Sequence, residues 1–130
     1  MIAIDTNILV RLFANDDPIQ SPQAARLFAD EDIFVPKTVM LETEWVLRFS
    51  YTLSRTTIAK AFGKLLSTSS VTVEGVETVQ AAIDAYASGM DFADALHLSS
   101  SGSAEKFLTF DKKLARAAVR AKVALSVQVV

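Results

Sequence analysis

The apolar positions of the chain alternate between short continuous runs and longer stretches with three- and four-residue spacing. A short apolar run is typical of a buried strand, and the three- and four-residue spacing predicts an amphipathic helix. Five strands are predicted in this way, at residues 2–4, 33–36, 71–73, 106–110 and 124–130. The helical pattern covers residues 6–13, 21–30, 38–49, 55–66, 76–87, 91–101 and 111–120.

Residues with turn or capping preferences mark the ends of these segments. The sequence Asn-Asp-Asp-Pro at 15–18 predicts a break after the first helix. Ser21, followed by a proline, predicts the N-cap of the second helix, and Ser54 predicts the N-cap of the fourth. Ser88 and Gly89 predict the end of the fifth helix.

The alternation of strands and helices predicts the fold class. It indicates an α/β protein with a mainly parallel β-sheet flanked by helices on both faces. No internal repeat, low-complexity tract or flexible linker interrupts the pattern, so a single domain is predicted over residues 1–130. Ligands of such sheets bind beyond the carboxyl ends of the strands.

Composition excludes several classes of protein. Hydrophobic residues make up 51% of the chain and charged residues 22%, which is typical of a globular domain rather than a disordered one. The chain contains no cysteine, which excludes disulfide scaffolds, thiolate zinc sites and cysteine nucleophiles and fits a reducing cytoplasm. No signal peptide or membrane-spanning run is recognisable, so a cytoplasmic protein without membrane association is expected.

Charge is unevenly distributed along the chain. Residues 1–105 carry 7 basic against 14 acidic residues, and residues 106–130 carry 6 against 1. An acidic body beside a basic C-terminal segment is compatible with metal ions in one place and a polyanion next to them. Ordinary solvated charge explains the same distribution.

Two acidic residues directly follow predicted strands. Asp5 ends the first strand and Asp111 ends the fourth, so a parallel sheet brings both toward the edge at which ligands bind. Each also fits the N-cap of the helix that follows it, and the two roles are compatible because a carboxylate has two oxygens. Thr109 is placed to bond to a carboxylate or a metal-bound water, or is a plain strand residue.

Glu42 occupies an apolar face of the predicted third helix. Its neighbours on that face are Val39, Trp45, Val46 and Phe49. Burying an unpaired carboxylate costs free energy, and a metal ion or an unidentified cationic partner removes that cost. We therefore predict that Glu42 is buried and functional.

Glu44 serves as the comparison within the same helix. It lies roughly opposite Glu42 and has Arg48 four residues later, an arrangement typical of an exposed ion pair. We therefore predict that Glu44 is an ordinary surface residue.

Asp91 and Asp94 open the predicted sixth helix on one face. Asp91 fits the N-cap, and Asp94 fits a first-turn acid favoured by the helix dipole. Because Leu98 follows four residues later, Asp94 is predicted to face inward. We favour Asp94 as a ligand and Asp91 as its cap or supporting partner.

Carboxylates that gather in one place repel unless they share a proton or a cation. An oxygen-only, thiolate-free ligand set suits Mg²⁺ or Mn²⁺. The four predicted metal ligands and catalytic residues are Asp5, Glu42, Asp94 and Asp111.

The acids stand within four segments that occur in a fixed order. These are Asp5-Thr6-Asn7, residues 40–47 with Glu42, residues 91–96 with Asp94, and residues 108–111 with Asp111. The four segments resemble the motifs of PIN-domain nucleases, and their order and spacing agree over essentially the whole chain. A short chain with nothing appended resembles the VapC toxins of VapBC toxin–antitoxin pairs.

The resemblance implies a function as well as a fold. It implies an endoribonuclease whose carboxylates hold divalent cations, one generating the attacking water and the other stabilising the leaving 3′ oxygen. The products are a 5′ phosphate and a 3′ hydroxyl. It further implies a VapB-like antitoxin as partner, an RNA substrate and a homodimer. The supporting residues are Thr6, Asn7, Asp91 and Thr109.

Other residues near these motifs receive weaker roles. The basic residues after Asp111 fit contacts with an RNA backbone, or simple solvation. They are Lys112, Lys113 and Arg116, followed by Arg120 and Lys122. His97 is interpreted as a packed or hydrogen-bonded structural residue, in preference to a hydrogen-bond donor that supports the acids. The aromatic residues 45, 49 and 51 are interpreted as core or dimer interface.

Four other functions compete with the toxin. A PIN-type RNA-processing nuclease without an antitoxin and an inactive nucleic-acid-binding PIN domain share the fold. A signalling receiver domain needs a pair of acids after the first strand and a late lysine at a strand end, which Asp5 alone and Thr109 do not provide. A haloacid-type phosphatase needs a second Asp where Asn7 stands.

Overall fold

The computed structural model describes residues 1–130, which form two compact units, Met1–Val76 and Glu77–Val130. The first unit contains β1 (Ile2–Ala3), α1 (Thr6–Ala14), α2 (Gln20–Asp30), β2 (Ile33–Val35), α3 (Lys37–Phe49), α4 (Arg55–Ser67) and β3 (Val71–Val73). The second contains α5 (Val76–Ala87), apart from its first residue, α6 (Phe92–Ser99), β4 (Lys106–Thr109), α7 (Lys112–Arg120) and β5 (Ser126–Val129).

The sheet of the first unit has the strand order β1-β2-β3, and all its strands are parallel. Ile2 pairs with Ile33, and Ile33 in turn pairs with Val71. The central strand is the most apolar, and its Ile33 and Val35 are fully buried. The parallel arrangement places the carboxyl ends of all three strands, and the loops that follow them, along one edge.

The helices of this unit supply most of its core. α1 contacts both α2 and α3, and α4 contacts α3 and β3. Apart from Ile33 of β2, the largest fully buried apolar side chains of this unit come from three helices, namely Leu9, Met40, Leu47, Ile58 and Phe62. α1 and α3 are therefore held together by packing, which matters because each carries a predicted catalytic acid.

The second unit contains a parallel pair of strands, β4 and β5, against which α7 packs. Tyr86 and Phe92 are almost fully buried and meet edge to face, with 5.3 Å between ring centroids. Gly89 follows α5 with a φ of 112°, a conformation that side chains with a Cβ disfavour. This glycine turns the chain toward α6, whose N-cap is Asp91.

The structure confirms the predicted α/β class and the parallel strands. All twelve predicted elements are present, with ends that differ by a few residues. None of the helices combines the length and the apolar character needed to cross a membrane.

Two local predictions are wrong. Ser21 does not cap α2; its buried hydroxyl donates to the Arg11 carbonyl, and Asp17 accepts the N–H groups at the helix start instead. Ile2 and Ala3 of β1 are exposed rather than buried, because β1 is an edge strand paired only with β2.

Candidate active site

Asp5 follows β1 and caps α1. Its carboxylate accepts the backbone N–H of Thr6 at 2.7 Å, and the residue is exposed. The side chain is thus fixed at the helix N-terminus by one oxygen, while the other oxygen makes no further hydrogen bond. The predicted N-cap role of Asp5 is therefore confirmed, and it leaves the carboxylate open to solvent.

Thr6 connects the first motif to the second. Thr6 is buried, and its hydroxyl donates a hydrogen bond to the carboxylate of Glu42 on α3. Asp5, Thr6, Asn7 and Glu42 line one cavity of about 420 Å³. The structure therefore brings the acids of the first two motifs, and both predicted supporting residues of the first motif, into one place.

The burial predicted for the two glutamates of α3 is reversed. Glu42 is exposed, whereas Glu44 is 2% exposed and accepts hydrogen bonds from the Arg48 guanidinium at 2.7 and 3.3 Å. The residues of α3 that enter the core are Val39, Met40, Thr43, Glu44 and Leu47. Glu42 thus needs no metal to compensate for burial, and the argument for its function rests on its place in the cavity.

The aromatic side chains beside Glu42 are also not in the core of the chain. Trp45 is 55% exposed and Phe49 is 56% exposed. Their rings lie 5.1 Å apart, and the Arg48 guanidinium stands over the Phe49 ring at 4.4 Å. Of the face that helical spacing assigned to Glu42, Trp45 and Phe49 are exposed, Val46 is half-buried and only Val39 is buried.

In the second unit, Asp91 caps α6 by accepting the N–H of Asp94 at 3.1 Å. Asp94 itself is half-buried. Burial raises the pKa of Asp94, the negative charges of Asp91 and Asp111 raise it further, and His97 opposes them. The acids of the third and fourth motifs are therefore close enough to repel one another.

Asp111 caps α7 through the N–H groups of Lys113 and Leu114, at 2.8 and 3.2 Å. The Thr109 hydroxyl accepts the N–H of Asp111 itself at 2.9 Å. Thr109 therefore supports the backbone of Asp111. As with Asp5, the cap leaves Asp111 exposed to solvent.

Residues around these acids differ from expectation in one case. His97 is exposed rather than packed, and its electrostatic interaction lowers the pKa of Asp94. The predicted RNA-contacting residues Lys112, Lys113 and Arg116 are exposed and form no ion pair, so their charges are free to meet an anion.

Sequence reasoning missed two residues of the first unit. Arg11 and Tyr51 line the cavity that holds Asp5 and Glu42. Arg11 follows Asn7 by four residues in α1, so its place on the same helix face was available from the spacing alone. Tyr51 comes from the α3–α4 loop, and no sequence pattern places it there.

A divalent cation fits the chemistry of these side chains. Neither unit by itself places three or more Asp, Glu or His side chains to share one metal ion. In each unit the motif acids nevertheless offer carboxylate oxygens, the ligands that Mg²⁺ and Mn²⁺ prefer. The repulsion at Asp94 is an observation that points the same way, because a bound cation relieves it.

The comparison with known families identifies the same family as the four motifs. The family model of the PIN domain matches residues 2–120, and the chain belongs to the PIN domain family. The match covers the first unit from its second residue and the second unit as far as residue 120. Members of this family are generally nucleases, and these nucleases generally use divalent metal ions. No curated protein matches the chain.

The raised pKa of Asp94 predicts an unusual effect on stability. A carboxyl whose pKa is higher in the folded than in the unfolded chain destabilises the fold when ionised, and stability returns as pH falls through the folded pKa. In EDTA at neutral pH, Asp94→Asn is therefore expected to unfold at a higher temperature than the wild type. The difference should shrink in acid, as followed by circular dichroism.

Asp32→Asn removes the same charge from an exposed position and is expected to change the unfolding temperature little at either pH. An Asp94→Asn variant that is less stable than the wild type at neutral pH contradicts the prediction.

Proposed function

We propose that the chain is a divalent-metal-dependent endoribonuclease and the toxin of a type II toxin–antitoxin system. The observation that carries the proposal is the shared cavity of Asp5 and Glu42, in a chain that the PIN model matches over residues 2–120. RNA is the proposed substrate because PIN domains are generally nucleases, and cations held by the motif carboxylates would attract a polyanion.

The residues that would hold metal ions are Asp5 and Glu42 in the first unit and Asp94 and Asp111 in the second. When bound, Mg²⁺ or Mn²⁺ supplies a water of lowered pKa and neutralises charge on the scissile phosphate. Thr6 keeps the Glu42 carboxylate in place through its hydrogen bond, which spares part of the entropic cost of ordering this exposed side chain. Asp91 and Thr109 stabilise the backbone at the acids of the second unit.

The overall reaction is hydrolysis of a phosphodiester bond. The water oxygen bonds to phosphorus, the bond from phosphorus to the 3′ oxygen breaks, and the 3′ oxygen takes up a proton. Lys112, Lys113 and Arg116 are proposed to bind phosphates of the same strand, since they are exposed without ion pairs.

The proposed partners are a VapB-like antitoxin and a second copy of the chain. The exposed pair Trp45 and Phe49 supports a protein contact, because aromatic side chains are enriched in such interfaces. Their place beside Glu42 on α3 lets a bound protein reach the acidic cavity. The proposed location is the cytoplasm, where the RNA is.

The test is incubation of the purified chain with a mixed RNA pool and Mg²⁺ or Mn²⁺, with EDTA in a parallel sample. We expect cleavage with metal, none with EDTA, and products that carry a 5′ phosphate. Cleavage that EDTA leaves intact overturns metal dependence. An absence of cleavage, together with no Mn²⁺ binding by calorimetry, favours the inactive nucleic-acid-binding domain.

The toxin role is tested by induced expression in a bacterial host. Growth arrest by the wild type but not by Asp5→Asn is expected, and coexpression of a small protein encoded next to it should restore growth. RNA cleavage without growth arrest favours an RNA-processing nuclease that has no antitoxin.

A further inference from the structure

Arg11 is the one cationic side chain that lines the cavity of Asp5 and Glu42. It projects from α1, and its guanidinium is held from two sides. Nε donates to the side-chain oxygen of Gln20 at 2.8 Å, and Nη1 donates to the Tyr51 hydroxyl at 3.1 Å. Two uncharged partners thus fix the orientation of the guanidinium without neutralising it.

The charge of Arg11 is only weakly compensated. Its single ion pair is with Asp16, which is 3.5 Å from Nη1 and has a side chain 45% exposed. An ion pair of this kind contributes little stability. Arg11 forms no ion pair with Asp5 or Glu42, although it lines the same cavity.

One end of the guanidinium has no partner. Nη2 makes no hydrogen bond and no ion pair, so both of its N–H donors remain available. Arg11 also lines a second cavity, of about 430 Å³, next to α2, and Asn7 is common to the two cavities. Arg11 therefore lies between the acidic cavity and this second cavity, a groove lined by α1 and α2.

An oriented guanidinium with free donors is suited to a phosphate. Arginine matches phosphate oxygens with parallel N–H donors, and such charge-assisted bonds are stronger than neutral ones. A strand whose scissile phosphate lies at the acids has further phosphates on either side.

We propose that Arg11 binds a backbone phosphate of the RNA adjacent to the scissile one, with Gln20 and Tyr51 as positioning residues. The strand then continues from the Asp5–Glu42 cavity into the groove between α1 and α2. The inference rests on the proposed function and adds to it the path of the substrate.

The experiment compares wild type with Arg11→Gln, Arg11→Lys and Arg26→Gln. Arg26 is an exposed arginine of α2 that lines neither cavity, so its variant is the matched control. Fluorescence anisotropy with a labelled random-sequence RNA, in EDTA, gives Kd over a series of salt concentrations. Cleavage of the same RNA with Mg²⁺ gives kcat and KM.

We expect Arg11→Gln to raise Kd and KM about tenfold and to leave kcat nearly unchanged. The slope of log Kd against log salt should fall by about 0.7, the value for one phosphate contact on a single strand. Arg11→Lys keeps the slope, because lysine still neutralises a phosphate, but raises Kd by a smaller factor. Arg26→Gln should match the wild type.

Tyr51→Phe keeps the proposal testable if Arg11→Gln does not fold. It removes one positioning hydrogen bond and no charge, so Kd should rise modestly at an unchanged slope. If wild type binds and cleaves RNA while the Arg11 variants keep its Kd and slope, the role of Arg11 is overturned and the nuclease proposal stands. If wild type neither binds nor cleaves RNA, the proposed function itself fails.

Discussion

Asp5→Asn and Glu42→Gln are each expected to reduce RNA cleavage by about 1000-fold or more, because each removes a proposed metal ligand. Both residues are exposed, and both replacements keep the shape of the side chain. The folded structure should therefore persist, with an unfolding temperature close to that of the wild type. Initial rates with Mg²⁺ and thermal unfolding of the same preparations measure the two quantities.

The matched control for Glu42→Gln is Glu44→Gln, which makes the same chemical change two residues away in α3. Glu44 points into the core rather than into the cavity, so cleavage per folded molecule should be retained. Calorimetry with Mn²⁺ should detect weaker binding in Glu42→Gln and unchanged binding in Glu44→Gln.

Two results would contradict this assignment. Cleavage that survives both Asp5→Asn and Glu42→Gln places the site elsewhere or indicates a contaminating nuclease. If Glu44→Gln lost cleavage while Glu42→Gln kept full activity, Glu44 rather than Glu42 would be the acid of the second motif.

Glu44→Gln is expected to lower the free energy of unfolding by about 2 kcal/mol, the scale of a hydrogen bond to a charged group in a buried place. The Glu44 side chain is 2% exposed, and that of Arg48 is 34% exposed. Removing the buried charge breaks the charge-assisted bonds to the guanidinium, but Arg48 keeps contact with water. The loss is therefore smaller than for a fully buried pair.

Urea unfolding at neutral pH measures this difference, with Glu42→Gln as the reference variant. An exposed ion pair of the kind that sequence reasoning assigned to Glu44 contributes at most about 1 kcal/mol. A Glu44→Gln variant as stable as Glu42→Gln would show that the Glu44–Arg48 pair does not stabilise the fold.

Much of the fold could be predicted from the sequence, because strands, helices and caps depend on local residue preferences. The apolar runs and helical spacing predicted every strand and helix, and the preferences of Ser54 and Asp91 as caps were confirmed. Ser21 failed as a cap because Asp17, with a carboxylate that reaches two N–H groups, competes for the same helix end.

Part of the candidate site could also be predicted from local residue preferences. Asp5 and Asp111 stand at strand ends, and both cap the helices that follow, as local preference predicts. The pairing of Asp5 with Glu42 depends on contact between α1 and α3, which are separated by α2 and β2 in the chain. Motif order suggested this pairing, and packing of the two helices produces it.

The sequence by itself determined the order of strands and helices, the parallel α/β class and the set of acids that the motifs contain. Tertiary structure alone decided which face of α3 enters the core. Both faces carry apolar residues and a glutamate, so helical periodicity allowed either face to be buried. Contact with α1 and α4 buries the face that carries Glu44. Tertiary structure likewise placed Arg11 between Gln20 and Tyr51, because these partners lie 9 and 40 residues away and only folding brings their side chains together.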